Sequence, residues 1–346
     1  RMAKELMFVA TPLQEGMLSA SLTIEDNAYT YIHTIQLSER ALAADTPSLD
    51  NFFAAFSDTV QACEILRTRF VFTEDDEAPW VGIVSPTEQS DLVSCQVVKT
   101  GRVQLRIHHA LYDATSIQAL WRILGENYHK RLQGHDQEAT LHLFRPFAKI
   151  VATAQRASVS FWTNLVQDYK YTPLDFPEVS LQASSAFHFT LGEQELSLLQ
   201  TRCMELSVTV KAALQLAWAK VLCESLYRQG DVVYGEVIAT GGGFADDAML
   251  GPTINTVPMR ANLTDQGTAA GVAGALAGIQ SLNDEVKGDN SMASLRKIQT
   301  LWRSSSRDAP TSLFQSLFVF DGVVGSAKTD GDEPLFKPAQ TQAEDN

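Results

Sequence analysis

The sequence predicts a mixed α/β (α+β) protein of two lobes. Strand-like and helical hydrophobic patterns alternate in both halves, and 45% of the 346 residues are hydrophobic, which is enough for two cores. A stretch with two prolines and little periodicity, residues 169–185, separates the halves. We therefore expect an N-terminal lobe over residues 1–172 and a C-terminal lobe over residues 173–346.

The first half shows a helix followed by a strand, and then a strand followed by a helix. Apolar residues recur at helical spacing through residues 49–66, and LRTRFVF then has strand character. VQLRIHH at 103–109 alternates as a strand does, and Thr115 with Gln118 has the spacing of a capping box, so we expect a helix to begin there. The apolar face of that helix consists of Ile117, Leu120, Trp121, Leu124 and Tyr128.

The second half repeats this alternation. FHFTL at 187–191 and DVVYGEVIA at 231–239 predict strands, and the residues 209–226 between them predict a helix. TINTVPMRANL at 253–263 follows as a further strand. The apolar face of the predicted helix consists of Val210, Leu214, Ala217, Trp218 and Val221.

The composition argues against several classes of partner. The chain has 27 basic and 41 acidic residues and a net charge of −14, which would repel a nucleic-acid backbone. Its four cysteines form no CxxC pair, so we expect reduced core residues and a cytoplasmic location. No apolar run approaches the ~18 residues of a membrane span, and the first residues lack a secretory signal.

The stretch IHHALYDATS at 107–116 concentrates the candidate chemistry. Neighbouring residues of a strand point to opposite faces, so His108 and His109 are badly placed to bind one small group. No HExxH pattern or other His/Cys pair accompanies them, and we expect no metal site. Two interpretations remain open: one imidazole acts as a general base, or the pair is buried and bonded to backbone, with Asp113 closing the turn.

Five blocks taken together resemble the condensation domains of nonribosomal peptide synthetases. They follow the family's order along nearly the whole chain, and their wording is most similar to fungal synthetases, including those that make siderophores. The blocks are TPLQEGML (11–18), EILRTRF (64–70), HHALYDA (108–114), GPTINTVPMR (251–260) and SLFVFDG (316–322).

This resemblance implies an acyltransferase with two chloramphenicol-acetyltransferase-like lobes in a V-shaped pseudo-dimer around a central tunnel. Upstream and downstream peptidyl carrier proteins would present a donor acyl or peptidyl thioester and an acceptor amine, beside an adenylation domain. The phosphopantetheine arms belong to the carriers, and the domain itself would bind no cofactor. The product is an amide, or a cyclised product that a terminal member releases.

The family motif assigns roles to the residues of the HHALYDA block. His109 takes the position of the catalytic imidazole, and His108 and Asp113 take supporting positions. Ala114 replaces a glycine, which the turn tolerates if the φ angle of this residue is negative. In the GPTINTVPMR block, we assign structural support of the site to Asn255.

One departure leaves Asp113 without its usual partner. Many members have a Ser/Thr-Gly-Arg sequence whose arginine pairs with this aspartate, whereas this chain has Thr240-Gly241-Gly242. We expect Arg67 to take the place of that arginine, although backbone amides can also satisfy a turn carboxylate.

A positively charged segment suggests how an acidic carrier protein is recruited. The segment 291–307 predicts an amphipathic helix whose basic residues include Arg296, Lys297 and Arg303. We expect these three to contact a carrier protein, although a charged helix face is more often simply solvated.

Two alternatives to the whole interpretation are a stand-alone HxxxD acyl-CoA transferase and a catalytically silent domain that binds carrier proteins.

Overall fold

The structure, a computed structural model, divides the chain into two compact units. Unit 1 contains Arg1–Ala154, Ala239–Ile254 and Val324–Asn346, and unit 2 contains Gln155–Ile238 and Asn255–Val323. The residues that the structure describes are 6–23, 28–37, 48–99, 101–134, 140–171, 186–240, 249–263, 268–305, 312–321 and 336–343.

Unit 1 contains two antiparallel sheets, with strand orders β10-β2-β6-β5 and β1-β4-β3. Short 3₁₀ turns lie at Glu64–Arg67 and His109–Leu111. Its helices and strands are β1 (Met7–Val9), α1 (Pro12–Thr23), β2 (Thr30–Leu37), α2 (Ser48–Ala62), β3 (Thr68–Phe72), β4 (Trp80–Val84), β5 (Val93–Lys99), β6 (Arg102–His108), α3 (Ala114–Leu132), α4 (Arg145–Ala154) and β10 (Phe336–Ala343).

Unit 2 contains a sheet of strand order β8-β7-β9, in which β7 and β9 run parallel. Its core includes the fully buried rings of Trp162, Trp302 and Tyr234. Its helices and strands are α5 (Val159–Val166), α6 (Glu193–Glu205), α7 (Val210–Val221), β7 (Asp231–Ala239), β8 (Ile254–Asn262), α8 (Ala269–Glu285), α9 (Leu295–Ser305) and β9 (Leu317–Val319).

The two units differ from the predicted lobes, which meet at a single boundary between residues 172 and 173. Strand β10 is near the end of the sequence but pairs antiparallel with β2, which places it in unit 1. Residues 239–254 also belong to unit 1 and carry Thr253, a hydrogen-bond partner of Asp113. Such long-range pairings leave no mark on local composition. The expected linker lies mostly outside the described residues.

Most predicted elements of unit 1 are confirmed. The helix at 49–66 forms α2 and a 3₁₀ turn, and strand β3 follows directly. The five apolar residues predicted for the face of α3 are all buried. The helix nevertheless begins at Ala114 rather than at Thr115, because its N-cap is Asp113.

Two predictions in unit 2 are wrong. Residues 187–191 form no strand, and the side chains of Phe187 and Phe189 are 91% and 75% exposed. Helix α7 buries Ala212, Gln215 and Ala219 instead of the predicted apolar face. For α7, the physical reason is a network of buried polar side chains, which a hydropathy pattern does not detect.

The network in unit 2 centres on Glu236, which is 1% exposed. Gln215 Nε2 donates to Glu236 Oε2 at 2.7 Å, and Asn283 Nδ2 donates to Gln215 Oε1 at 2.6 Å. Lys211 Nζ lies 2.6 Å from Glu236 Oε1. Burial raises the pKa of Glu236, although Lys211 and Gln215 counteract this rise. The polar residues of α7 therefore face inward because a buried carboxylate needs hydrogen-bond donors.

The four cysteines are free thiols, as expected, and Cys95 alone is only partly buried. Burial raises the pKa of Cys63 and of Cys95 to about 12, and that of Cys223 to about 11. These three thiols stay protonated at neutral pH, which makes them poor nucleophiles.

The first residue of the GPTINTVPMR block must be a glycine for steric reasons. Gly251 has a φ of +149°, and a Cβ atom there would lie 2.3 Å from Phe144 Cδ2. We expect Gly251→Ala to lower the free energy of unfolding by about 2 to 3 kcal/mol. Denaturant unfolding measures this change. The control is Gly274→Ala in α8, where a Cβ meets nothing within 4 Å and we expect unchanged or increased stability. Equal stability of the two variants would contradict the prediction.

Candidate active site

The HHALYDA block lies at the junction of strand β6, a 3₁₀ turn and helix α3. Strand β6 ends at His108, and β2 pairs with it so that Thr30 is opposite His108 and Tyr31 is opposite Ile107. The backbone amide of His109 donates to Tyr29 O at 2.8 Å. The start of β2 therefore borders the two histidines.

His108 is a buried structural residue, 2% exposed. Its Nδ1 accepts a hydrogen bond from the Ala110 amide at 3.0 Å, so in the neutral ring the proton is on Nε2, 2.9 Å from Ser21 Oγ. Burial, with smaller contributions from the charges of His109 and Arg106, lowers the pKa of His108 to about 4, although a hydrogen bond to the Ala28 backbone counteracts this change. Both ring nitrogens are thus occupied by the protein, and the ring is neutral at physiological pH.

His109 has a different environment, as strand alternation predicted. Its ring stacks on Tyr112 with centroids 4.6 Å apart and an interplanar angle of 16°, and Tyr31 contacts it edge-on at 5.8 Å. Within the described part of the chain, its buried Nδ1 has no hydrogen-bond partner. Of the two imidazoles, His109 is therefore the one with an uncommitted ring nitrogen.

Asp113 ties the start of α3 to residues 249–254. Its side chain is buried, and Oδ1 accepts from the Ser116 amide at 2.7 Å, while the Asp113 amide donates to Ser116 Oγ at 2.7 Å. Oδ2 accepts from the Thr253 amide at 2.7 Å and from Thr253 Oγ1 at 3.1 Å. The capping box is thus Asp113 with Ser116, and the prediction of Thr115 with Gln118 is wrong.

The predicted pair of Arg67 and Asp113 is also wrong. Arg67 donates to the carbonyl oxygens of Val60, Ser85 and Pro86, so its guanidinium satisfies backbone acceptors around its own turn. Asp113 instead receives backbone and hydroxyl donors, the other solution that the sequence left open. Thr240 contributes indirectly, because its amide donates to Thr253 O at 2.8 Å.

The other two supporting residues have structural roles. Ala114 is the first residue of α3 and is not among the described residues with positive φ, so it fits where the family has glycine. Asn255 belongs to unit 2, where its Nδ2 donates to Ser291 O at 2.9 Å and to Ala293 O at 2.8 Å. It fixes the turn before α9.

Sequence reasoning missed two residues near the histidines. Gln14 of the TPLQEGML block donates from Nε2 to Ala110 O at 2.9 Å, and its Oε1 accepts from the Thr11 amide at 3.0 Å. The T-x-x-Q spacing with Pro12 at the start of α1 was a detectable signal for this cap. His33 lies with its Nε2 3.3 Å from Tyr112 Oη, and no sequence motif marks it.

The proposed docking helix α9 is amphipathic, as expected. Ile298 and Trp302 are both 1% exposed, Arg296 and Lys297 are partly buried, and Arg303 is exposed. A carrier-docking role for the three basic residues stays a prediction.

The buried imidazoles predict a loss of stability on acidification. Burial, with a smaller contribution from the charge of His109, lowers the pKa of His33 to about 4, and the pKa of His108 is also about 4. The imidazoles of the unfolded chain take up protons near pH 6.5, whereas the buried rings take them up only near pH 4. The contribution of each neutral ring to the free energy of unfolding is therefore complete above about pH 6.5 and is lost as the pH falls towards 4. Between pH 7 and pH 5 we expect a loss of about 2 kcal/mol for each imidazole.

Urea unfolding at the two pH values tests this expectation. His108→Gln should lose less stability on acidification than the unmodified protein, by about 2 kcal/mol. The control is His129→Gln, which changes an exposed histidine of α3. An identical acid dependence of His108→Gln and the unmodified protein would contradict the assignment of a buried neutral ring.

Among the described residues, no three His, Cys, Asp or Glu side chains lie together as a metal site requires. No single described helix is long and apolar enough to cross a membrane, and the helices at Glu193–Glu205 and Val210–Tyr227 meet those criteria only as a pair bent by 102°.

The fold and the HHALYDA turn define a condensation domain. The family model of that name matches residues 86–344, and the chain belongs to this family. The predicted family is thus confirmed.

Curated relatives agree with the fungal resemblance. The chain is 27% identical over 384 residues to the nonribosomal peptide synthetase sidC of Aspergillus fumigatus, which covers 97% of this chain. It is 24% identical over 384 residues to the siderophore peptide synthetase fer3 of Mycosarcoma maydis, which covers 93%. The chain spans only 8% of the length of each of these synthetases.

Solved structures confirm the predicted fold. The X-domain from teicoplanin biosynthesis matches with a TM-score of 0.66 at 16% identity, covering 85% of this chain and 73% of that one. The first condensation domain of the CDA synthetase matches with a TM-score of 0.58 at 13% identity, covering 90% of this chain and 80% of that one. Neither alternative function from the sequence is favoured by these comparisons.

Proposed function

We propose that this chain forms an amide bond between two carrier-bound substrates within a longer synthetase. The observation that carries the proposal is the division of labour between the adjacent histidines. The protein occupies both nitrogens of His108, whereas Nδ1 of His109 has no partner in the described residues. A reactive imidazole next to a structural one is what the family motif requires.

The proposed condensation needs no cofactor bound to the domain itself. The nitrogen of the acceptor amine attacks the carbonyl carbon of the donor thioester, the C–S bond of the tetrahedral intermediate breaks, and the thiol of the donor arm leaves with a proton. His109 either accepts the proton of the attacking amine or donates a hydrogen bond to the tetrahedral intermediate. Asp113 and His108 maintain the turn that carries His109.

Positioning of the substrates supplies much of the rate in this proposal. Well-oriented reactants reach effective molarities of about 10⁵ M or more, whereas a general base adds about 10² to 10⁴. The donor and acceptor carrier proteins, each with its phosphopantetheine arm, would therefore be essential partners. An adjacent adenylation domain would supply the activated aminoacyl groups.

A reconstituted reaction tests the proposal. The chain is mixed with a donor carrier protein loaded with an aminoacyl thioester and an acceptor carrier protein loaded with a second one, and the acceptor arm is analysed by mass spectrometry. A dipeptidyl arm that appears only when the chain is present supports condensation. Binding of both carriers without product would favour a silent binding domain, and product from acyl-CoA alone would favour an acyl-CoA transferase.

Helix α9 is our candidate for steering one of the carriers. Because the protein has a net charge of −14, a basic surface is needed to attract an acidic partner. Replacing Arg296, Lys297 and Arg303 together by glutamate should raise the apparent KM for one carrier several-fold at low salt and leave kcat nearly unchanged.

The matched control for this charge reversal lies in the same unit. The control variant replaces three other basic residues by glutamate together, which alters the net charge equally. These residues are Arg202 on α6, Lys220 on α7 and Lys287 just after α8. We expect this control to change the KM less than the α9 variant does. Equal KM values for the two triple variants would rule out α9 as a docking surface.

A further inference from the structure

The ring of His109 is held by a small aromatic cluster of unit 1. The phenol of Tyr112 is stacked nearly parallel on the imidazole, with centroids 4.6 Å apart and an angle of 16°. The ring of Tyr31 contacts the same imidazole edge-on, at 5.8 Å and 72°. Rotation of the imidazole out of its plane therefore requires displacement of Tyr112.

Tyr112 is itself fixed in place by residues of β2 and α3. It is 5% exposed, and its hydroxyl lies 3.3 Å from His33 Nε2, at the long end of hydrogen-bond distances. His33 is also 5% exposed, and Trp121 of α3 contacts its ring edge-on at 5.6 Å. Trp121, His33, Tyr112 and His109 thus form a continuous series of ring contacts.

The hydrogen bond in this series joins two neutral groups. Burial lowers the pKa of His33 to about 4, and burial raises the pKa of the Tyr112 hydroxyl, with a smaller contribution from Tyr31. Neither group changes its charge near neutral pH. The contact with Tyr112 can therefore constrain His109 without taking its proton.

We propose that Tyr112 is a positioning residue that sets the plane of the His109 imidazole, and that His33 holds Tyr112 in place. This inference rests on the proposed function, in which the direction of the His109 nitrogens determines the proton transfer or hydrogen bond. It deepens that function because Tyr112, at a variable position of the HHxxxD pattern, and His33, outside the pattern, become determinants of turnover. Binding of the carrier proteins does not depend on them.

Three variants test the role of Tyr112. Tyr112→Leu removes the stacked ring, Tyr112→Phe keeps the ring and removes the hydroxyl, and Tyr128→Leu is the matched control. Tyr128 lies on α3 in the same unit and packs against Phe52. We expect kcat to fall about tenfold in Tyr112→Leu and about threefold in Tyr112→Phe, with the KM for both carriers unchanged. Melting temperatures show which variants are folded.

A nuclear magnetic resonance measurement separates positioning from general packing. In protein labelled at histidine, with the His109 signals assigned through His109→Gln, Tyr112→Leu should move the imidazole C–H signals of His109 downfield because the ring current is lost. Tyr128→Leu should leave them in place. A folded Tyr112→Leu with unchanged His109 signals, or with the kcat of Tyr128→Leu, would overturn the inference.

A double-mutant cycle tests the role of His33 and does not depend on Tyr112→Leu folding. Tyr112→Phe and His33→Leu are each expected to lower kcat about threefold, and the double variant should also lose about threefold rather than about ninefold. Additive losses would overturn the link through His33. Absence of product with the unmodified protein would overturn the proposed function, whereas the resonance experiment would still decide whether Tyr112 positions His109.

Discussion

Replacement of His109 by alanine is expected to lower kcat by about 10² to 10⁴ without unfolding the protein. The imidazole lies in the 3₁₀ turn after β6, partly exposed, with a buried Nδ1 that no described residue contacts by a hydrogen bond. Its removal therefore breaks no described hydrogen bond at Nδ1. The rate that remains would come from the positioning of the two carrier-bound substrates.

The adjacent histidine provides the control for this prediction. His108→Ala removes the contacts to the Ala110 amide and to Ser21 Oγ and leaves the buried Ala110 amide without this acceptor, so we expect a lower melting temperature. Product formation in the reconstituted assay and thermal unfolding are measured for both variants. Full turnover of His109→Ala, together with equal losses of melting temperature, would remove His109 from the mechanism.

Replacement of Asp113 by alanine is expected to lower the free energy of unfolding by about 3 kcal/mol or more, and to lower turnover mainly through this loss. The carboxylate is 1% exposed and accepts hydrogen bonds from Ser116 and from both donors of Thr253. Charged hydrogen bonds contribute about 1.5 to 3 kcal/mol each, and the variant leaves buried donors unsatisfied. Denaturant unfolding and the condensation assay measure the two effects.

A graded control uses Thr253. Thr253→Val removes only the hydroxyl donor at 3.1 Å and retains the backbone amide at 2.7 Å, so we expect a loss of about 1 kcal/mol. The stability of Asp113→Ala should fall well below that of Thr253→Val. A fully stable but inactive Asp113→Ala would instead indicate a direct chemical role for the carboxylate.

The local patterns of the sequence were sufficient to predict much of the secondary structure of unit 1. Helical spacing located α2 and the buried face of α3, and alternation located β6 up to His108. Strand geometry also predicted that His108 and His109 would have different environments. These features depend on residues that are neighbours in sequence, where periodicity and side-chain direction are closely linked.

The same local reasoning failed where a distant residue decides the environment. The inward face of α7 follows from the buried Glu236 of β7. The N-cap of α3 was missed for a local reason, because Asp113 forms the capping box with Ser116 in place of the predicted pair. The exposed segment 187–191 has the alternation of a strand but no strand partner among the described residues. Strand formation requires such a partner, and alternation alone does not provide it.

The sequence by itself determined the family, the order of the motif blocks and the candidate imidazole, because each is written in contiguous residues. The tertiary structure alone decided the distant partners: Thr253 rather than Arg67 for Asp113, Gln14 for the Ala110 carbonyl, and His33 for the Tyr112 hydroxyl. Asp113 and Thr253 are 140 residues apart, and Gln14 and Ala110 are 96 apart. Contacts over such separations depend on how the chain closes its loops in three dimensions, which no local pattern encodes.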